Sequence, residues 1–195
     1  MDAKASPSSR RELTKTQNRE TILEAARLVF AQLGFATATV RDIIRATPLA
    51  SGTFYNYFKS KEQVYQALRD EEALALRPKL REARAAAGDA RAFISASFRT
   101  FFWFVAEKGM SGGERFRLDS PEVLAGFAEL RADIEKAMAR GLLPSTDAGL
   151  LTAALTGVAF ELAEEVKQGA EIEKVTEFAT ALFLGGISAL PRKTA

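Results

Sequence analysis

The sequence predicts an all-α protein with an N-terminal three-helix head and a C-terminal antiparallel helical body. Apolar residues make up 47% of the 195 residues, which is enough for a sizeable core. Strong helix formers such as Ala, Leu, Glu and Arg dominate the composition. Apolar side chains recur at helical spacing, and no run of alternating β-branched residues favours a strand.

The first helix follows a polar N-terminal segment. Residues 1–13 have the composition of a disordered arm, rich in Ser and Arg with one Pro. Thr14 and Gln17 form the pattern of a capping box, so the helix is expected to open there. Gly34 is the kind of residue that ends a helix. The expected core-facing residues are Ile22, Ala26, Val29, Phe30 and Leu33.

A short second helix is expected after Thr39. Thr39 and Asp42 form another capping box, so this helix opens at Val40. Pro48 has no N–H and disfavours the helical region for the residue before it, so the helix must end around Ala46. The expected buried residues are Val40, Ile43 and Ile44.

A third helix follows almost at once, with Ser51 as its expected cap. Phe54 and Phe58 lie one turn apart and would face the same core as the preceding isoleucines. Two short helices joined by a tight turn make a helix-turn-helix. The next helix should open where Ser60 and Gln63 repeat the capping-box pattern.

The outer face of the third helix is small, polar and aromatic. With the two phenylalanines inward, Gly52 and Asn56 point outward, and Thr53 and Tyr55 flank them. Asn pairs with adenine, and hydroxyl and aromatic groups contact thymine, so this face is typical of a major-groove reader. Lys61 begins the next helix, whose N-terminus favours a phosphate. The predicted DNA-contacting residues are Thr39, Ser51, Gly52, Thr53, Tyr55, Asn56, Tyr57 and Lys61.

The phrases TVRDIIRAT, GTFYNYF and KSKEQVY resemble the DNA-binding signature of the TetR (tetracycline-repressor) family of bacterial transcription regulators. The resemblance covers the first third of the chain, and the remainder is similar only in helix layout. The family commonly has Gly where this chain has Pro48, and a capping Ser where it has Ala50. Because Pro cannot adopt a positive φ, we expect a re-formed turn with Ser51 as the cap.

The resemblance implies a domain organisation and a set of partners. It implies a DNA-binding helix-turn-helix domain at 14–60 and a helical effector-binding and dimerisation domain at 61–195. The second domain opens with a connecting helix at 61–77, which Pro78 should bend or end, and which transmits effector binding to the spacing of the heads. The implied partners are a palindromic double-stranded DNA operator, a small, largely hydrophobic effector and a second copy of the chain.

Charge is distributed unevenly along the chain. Residues 1–62 carry ten Lys and Arg against six Asp and Glu, whereas the rest carries seventeen against nineteen. A basic N-terminal region fits a module that approaches phosphates. The arm at 1–13 is either an inert tail or a basic arm, in which Arg10 and Arg11, with Lys15, add phosphate or minor-groove contacts.

The region from Asp89 to Glu107 is the most apolar predicted helix and contains four consecutive aromatic residues, from Phe101 to Phe104. Such a helix is buried on all sides, or it lines a cavity on one side. The Gly-rich loop that follows, from Lys108 to Glu122, is either a pocket entrance or a connector. The predicted effector-pocket residues are Phe98, Arg99, Phe102, Trp103, Phe116, Phe127, Arg131 and Glu161.

Three more helices are expected before the C-terminus. Pro121 follows a capping Ser120 and opens the first of them. The last two run from about Ser145 to Gln168 and from about Glu173 to Leu190, and their apolar stripes are too broad for one partner. We expect them to pair with their copies in a four-helix dimer interface. The predicted interface residues are Leu155, Gly157, Val158, Leu162, Phe178, Leu182, Gly185 and Gly186.

The absence of Cys and His from the sequence removes disulfides, thiolate or imidazole metal sites, and catalytic triads that need a His base. No phosphate-binding or dinucleotide fingerprint is present, so no cofactor or metal is expected. No apolar segment resembles a signal peptide or a membrane span, which favours a cytoplasmic, nucleoid-associated protein. Two alternatives stay open. One is an enzyme that uses carboxylates alone, and the other is a protein-binding adaptor without affinity for DNA.

Overall fold

The computed structural model describes residues 7–108 and 120–187, and within these ranges the chain forms helices and no strand. The helices are α1 (Pro7–Thr37), α2 (Val40–Arg45), α3 (Ser51–Tyr55), α4 (Lys61–Ala85), α5 (Ala90–Lys108), α6 (Pro121–Ala139), α7 (Ala148–Lys167) and α8 (Ile172–Ile187). The predicted all-α fold is therefore confirmed. The chain divides into two compact units, Met1–Glu71 and Glu72–Ala195, which we call the head and the body.

Helix α1 is longer than predicted. It begins at Pro7 rather than Thr14, so residues 7–13 of the predicted disordered arm are helical, and residues 1–6 lie outside the described part. Proline suits a first helical position because its missing N–H would be unpaired there anyway. The expected core residues of α1 are buried except Leu33, which is exposed, so the buried stripe ends at Phe30.

Gly34 interrupts α1 near its C-terminus. Its φ of 73° and ψ of 154° are not helical, and the helix resumes only as a short segment that ends at Thr37. A positive φ is accessible to glycine at little cost, which explains the residue at this position. The N–H of Ala38 donates to the carbonyl oxygen of Gly34 at 3.1 Å, and the chain then turns into α2.

Helix α4 runs from Lys61 to Ala85 and passes through Pro78, so the predicted connecting helix at 61–77 is too short. Proline in a helix interior leaves the carbonyl four residues earlier without its N–H partner. That carbonyl belongs to Leu74, and both Leu74 and Pro78 are exposed, so water can replace the lost bond. The head extends along α4 to Glu71, beyond the predicted boundary at residue 60, because the head core includes Val64, Tyr65 and Leu68.

The core of the body is aromatic and centres on α5, which packs against α7 and α8. The ring centroids of Phe98 and Phe102 lie 5.8 Å apart, and that of Phe183 on α8 lies 5.6 Å from Phe98. Asp89 caps α5, since its Oδ1 accepts from the N–H of Ala92 at 2.7 Å. The predicted helix at 89–107 is confirmed.

Two ion pairs link α4 to α6 inside the body. The Nε of Arg84 donates to Oδ2 of Asp133 at 2.9 Å, and only 4% of the Arg84 side chain is exposed. Burial lowers the pKa of Arg84 from its ordinary value, although the hydrogen bond that Arg84 donates to Asp133 opposes that shift. Two turns earlier on α4 and one turn earlier on α6, Arg77 pairs with Glu129 and holds the pKa of that carboxyl below its usual value.

The remaining helix ends correct or confirm the predicted ones. The hydroxyl of Ser120 accepts from the N–H of Val123 at 3.2 Å, so the predicted cap of α6 is confirmed. Helix α7 is capped by Asp147 rather than opening at Ser145. The predicted end of α8 at Leu190 lies outside the described residues. In 7–108 and 120–187, each helix is either too short or too polar to cross a lipid bilayer.

Candidate functional site

Helix α2 is fixed at its N-terminus by the predicted capping box. The hydroxyl of Thr39 accepts from the N–H of Asp42 at 3.3 Å, and the N–H of Thr39 donates to Oδ2 of Asp42 at 3.0 Å. The same hydroxyl donates to Oδ2 at 2.6 Å, and this bond is the main reason that the pKa of Asp42 is lowered. Thr39 is exposed, but its hydroxyl already serves the backbone of α2.

The turn between α2 and α3 is stabilised by Thr47. Its hydroxyl donates to the carbonyl oxygen of Ile44 at 2.9 Å and accepts from the N–H of Leu49 at 3.2 Å. Helix α2 ends at its C-cap Ala46, as predicted. Every described residue with a positive φ is a glycine elsewhere in the chain, so this turn does not need the glycine that Pro48 replaces.

The predicted cap of α3 is wrong. Ala50, not Ser51, occupies the N-cap position, and no side chain caps the helix there. Ser51 is already the first helical residue, since the N–H of Thr53 donates to the carbonyl oxygen of Ala50 at 2.8 Å. Ser51 is exposed, and its side chain is therefore on the surface rather than at the cap.

Two buried rings anchor α3 and orient its outer face. Phe54 is 1% exposed and Phe58 is also buried, with 6.2 Å between their ring centroids. Tyr55, the neighbour of Phe54, is 57% exposed, and Asn56 is exposed as well. The predicted outer face therefore points to solvent, with one qualification: Thr53 and Tyr57 are half-buried. The exposed members of the set on α3 and its C-cap are Ser51, Gly52, Tyr55 and Asn56.

Lys61 is not available for the predicted phosphate contact. Its Nζ donates to the carbonyl oxygens of Phe35, Ala36 and Ala38 at 2.7, 3.0 and 2.9 Å. An ammonium has three N–H donors, and all three are used by these main-chain carbonyls. The predicted phosphate contact is wrong because the acceptors at the end of α1, which are distant in sequence, take the ammonium.

The three basic side chains of residues 39–60, the helix-turn-helix segment, are all exposed: Arg41, Arg45 and Lys59. Arg41 and Arg45 lie one turn apart on α2, on the side opposite the buried Ile43. Among the residues that the structure describes, none of the three forms an ion pair. Sequence reasoning missed this set, although the spacing of the arginines relative to Ile43 was a usable signal.

The predicted effector-pocket residues do not share one environment. Phe98 and Phe102 are buried in the aromatic core, and Phe127 is half-buried, 6.5 Å from the ring of Phe160. Trp103 is 56% exposed, so the aromatic run on α5 is not buried on all sides. Phe116 lies outside the described residues.

The charged members of the predicted pocket lie on the surface, contrary to the prediction. Arg99 is exposed, and its Nε donates to Glu173 on α8 at 3.0 Å. Arg131 is exposed and pairs with Glu135 on its own helix at 3.1 Å. Glu161 is also exposed. Nearness in sequence to aromatic residues does not fix the side of the helix on which a charged residue lies.

The predicted dimer residues fall into two groups. Leu155 is buried within the core of its own chain, and Val158 and Leu162 are half-buried against that core, so the prediction is wrong for Leu155. Phe178 and Leu182 are exposed large apolar residues on α8. The predicted glycines, which are also exposed, are Gly157, Gly185 and Gly186.

Comparison with known proteins matches residues 22–68 to the model described as "Bacterial regulatory proteins, tetR family". This range contains α2, α3, the anchoring phenylalanines and the first turns of α4. The helix-turn-helix region of the chain therefore matches the TetR family. The HTH-type transcriptional repressor AcnR of Corynebacterium glutamicum is 41% identical over 58 residues, which are 30% of this chain and 31% of AcnR.

Solved structures extend the likeness beyond the TetR-family head. The fatty acid degradation regulator FadR from Bacillus halodurans has a TM-score of 0.74 and 22% identity, over 95% of this chain and 98% of that one. FadR from Bacillus subtilis, solved in complex with stearoyl-CoA, has a TM-score of 0.72 and 20% identity, over 86% and 98% of the two chains. At this identity the likeness establishes the fold alone.

Proposed function

We propose that this TetR-family chain is a DNA-binding transcriptional regulator whose α3 reads base edges in the major groove. The observation that carries the proposal is the contrast along α3, where Phe54 is 1% exposed and Tyr55 is 57% exposed. A buried ring fixes the rotation of the helix, and the residues beside it are therefore held outward. The amide of Asn56 can pair with N6 and N7 of adenine, and Tyr55 offers a hydroxyl and an apolar ring edge.

Contacts to the phosphates are assigned to Arg41, Arg45 and Lys59. In a helix-turn-helix the first helix crosses the DNA backbone while the second enters the groove. The two arginines lie on the exposed side of α2, and Lys59 follows α3 in the chain. Exposed cations of this kind supply the sequence-independent, salt-sensitive part of the affinity.

Asn56→Ala and Tyr55→Ala are each expected to weaken binding to the preferred operator by about 1–3 kcal/mol, because each removes a base-edge contact. The operator is first selected from a random duplex library with the wild-type protein, and affinities are then measured by fluorescence anisotropy. Affinity for a mixed-sequence duplex should change little. Gln17→Ala, an exposed polar residue of α1, serves as the control.

Unchanged selectivity in both variants would reject the assignment of the reading face. A wild-type protein with no salt-sensitive affinity for any duplex would favour the protein-binding adaptor instead. Turnover of a bound small molecule would favour the enzyme.

The family and its relatives are regulators, and the proposal requires no cofactor and no metal. A partner on the bacterial chromosome implies that the protein acts in the cytoplasm.

The proposed operator-binding form is a homodimer with a two-fold axis. The outward side of α8 presents Phe178 and Leu182, and α7 presents the exposed Leu150 and Gly157. Pairing these helices with their copies removes this apolar surface from water in a four-helix interface. A two-fold axis then places two copies of α3 in successive major grooves of a palindrome, about 34 Å apart.

Leu182→Asp is expected to raise the dimer Kd at least about tenfold, because it buries an unpaired charge in the proposed interface. Sedimentation equilibrium measures this effect. Leu124→Asp on α6 is a matched control, since Leu124 is 51% exposed and Leu182 is 53% exposed. If Leu182→Asp stays dimeric at the concentrations that keep Leu124→Asp dimeric, the interface lies elsewhere.

The proposed effector is a small, largely hydrophobic molecule bound in the body. The complex of Bacillus subtilis FadR with stearoyl-CoA supports a ligand with an apolar acyl chain, and the name of AcnR as a repressor supports repression. An effector releases the protein from DNA only if it binds more tightly to a form with lower operator affinity. The coupling is reciprocal, so operator DNA must weaken effector binding by the same factor.

A further inference from the structure

The ammonium group of Lys61 is held by the main chain at the end of α1. The three carbonyl oxygens that it contacts, those of Phe35, Ala36 and Ala38, lie between 2.7 and 3.0 Å from Nζ. The Nζ also lies 4.6 Å from the centroid of the Phe35 ring, at a distance where a cation is attracted to the ring face. No N–H of the ammonium is left for a ligand.

The acceptors converge because Gly34 breaks the helix just before them. Its non-helical backbone angles interrupt the regular pairing of carbonyls, and the last carbonyls of a helix carry partial negative charge. The Phe35 ring is itself fixed, with its centroid 4.7 Å from that of Tyr65 and 5.4 Å from that of Phe30. Tyr65 lies one turn after Lys61 on α4, so the ring contact and the hydrogen bonds join the same two helices.

The contact made by Lys61 joins the two ends of the segment that contains α3. Ala38 immediately precedes Thr39, the cap of α2, and Lys61 is the first residue of α4. Residues 39–60 contain both helices of the helix-turn-helix. A single ammonium therefore joins the two ends of that segment, where the chain enters α2 and where it leaves the turn after α3.

We propose that Lys61 is a positioning residue for DNA recognition, which fixes the orientation of α3 by joining the ends of residues 39–60, and that it makes no phosphate contact. This inference rests on the proposed DNA-binding function. A positioning role and a phosphate contact predict different effects on the salt dependence of DNA affinity. Loss of a phosphate contact reduces the slope of log K against log salt by about 0.9, whereas misplacement of α3 lowers affinity with the slope unchanged.

Lys61→Arg and Lys61→Met test the role, with Lys59→Arg and Lys59→Met as matched controls. Arginine keeps the charge, but its planar guanidinium cannot direct three donors at three converging carbonyls. Both Lys61 variants are expected to bind the selected operator about tenfold more weakly with an unchanged salt slope. Lys59→Met should reduce the slope, and Lys59→Arg should not. Wild-type affinity in Lys61→Arg together with a reduced slope in Lys61→Met would overturn the proposal.

Acetylation of the wild-type protein gives a test that needs neither variants nor DNA. Acetic anhydride is applied to the protein without DNA, and the rate at each lysine is followed by mass spectrometry. Lys61 is expected to react at least about tenfold more slowly than the exposed Lys59, because its amine is held by three acceptors. Equal rates would overturn the proposal. If the wild-type protein binds no duplex, the proposed function fails separately, since the labelling measures the free protein.

Discussion

Asp133→Ala is expected to lower the free energy of unfolding of the body by about 3–5 kcal/mol, because it leaves the buried charge of Arg84 without its partner. Arg84 is 4% exposed and donates to Asp133 at 2.9 Å. Arginine cannot escape this cost by losing its proton. Urea denaturation followed by circular dichroism measures the change.

Glu135→Ala on the same helix is the matched control. Glu135 pairs with Arg131, and more than half of each of these side chains is exposed, so its loss is expected to cost at most about 1 kcal/mol. The double variant Arg84→Met with Asp133→Leu should recover most of the stability, because it removes both buried charges. Equal effects of Asp133→Ala and Glu135→Ala would show that the link between α4 and α6 is energetically like a surface pair.

Phe54→Ala is expected to cost the head about 3–5 kcal/mol, since it empties a fully buried ring site. Phe54 packs in the head cluster beside Phe58, and none of the buried residues of that cluster belongs to the body cluster. The loss is a large fraction of the stability of a small domain. Native-state hydrogen exchange should therefore show lost protection in α1–α3, together with loss of operator binding.

Tyr55→Ala on the same helix separates stability from recognition. Tyr55 is mostly exposed, so its removal should leave exchange in the head nearly unchanged while it weakens operator binding. Exchange in α5–α8 should be unchanged in both variants. Wild-type protection in Phe54→Ala would contradict its role as the anchor of α3, and equal loss in head and body would contradict two separate cores.

The parts of the fold that sequence predicted are those that depend on neighbouring residues. The caps formed by Thr39 with Asp42 and by Ser120 are local patterns, and the structure contains both. The cap of α3 was missed because it depends on where the chain leaves the preceding turn, which the bonds of Thr47 determine. The extension of α4 beyond Pro78 was missed because solvent exposure lets water replace the lost bond.

The contacts that sequence did not predict join distant residues. Lys61 donates to carbonyls that lie 23 to 26 residues earlier, and these converge only because Gly34 breaks α1. On α5, the residue types predicted an aromatic core but not which ring would face outward. That choice depends on the packing of α5 against α7 and α8, which leaves Trp103 exposed while Phe102 and Phe104 are buried.

The exposure of Trp103 also has a spectroscopic consequence. Trp103 is the single tryptophan of the chain and lies in the body, whereas the three tyrosines, Tyr55, Tyr57 and Tyr65, all lie in the head. Tryptophan emission therefore reports on one unit and tyrosine absorbance on the other, without any added label. Melting curves from the two chromophores coincide only if head and body unfold in one cooperative step.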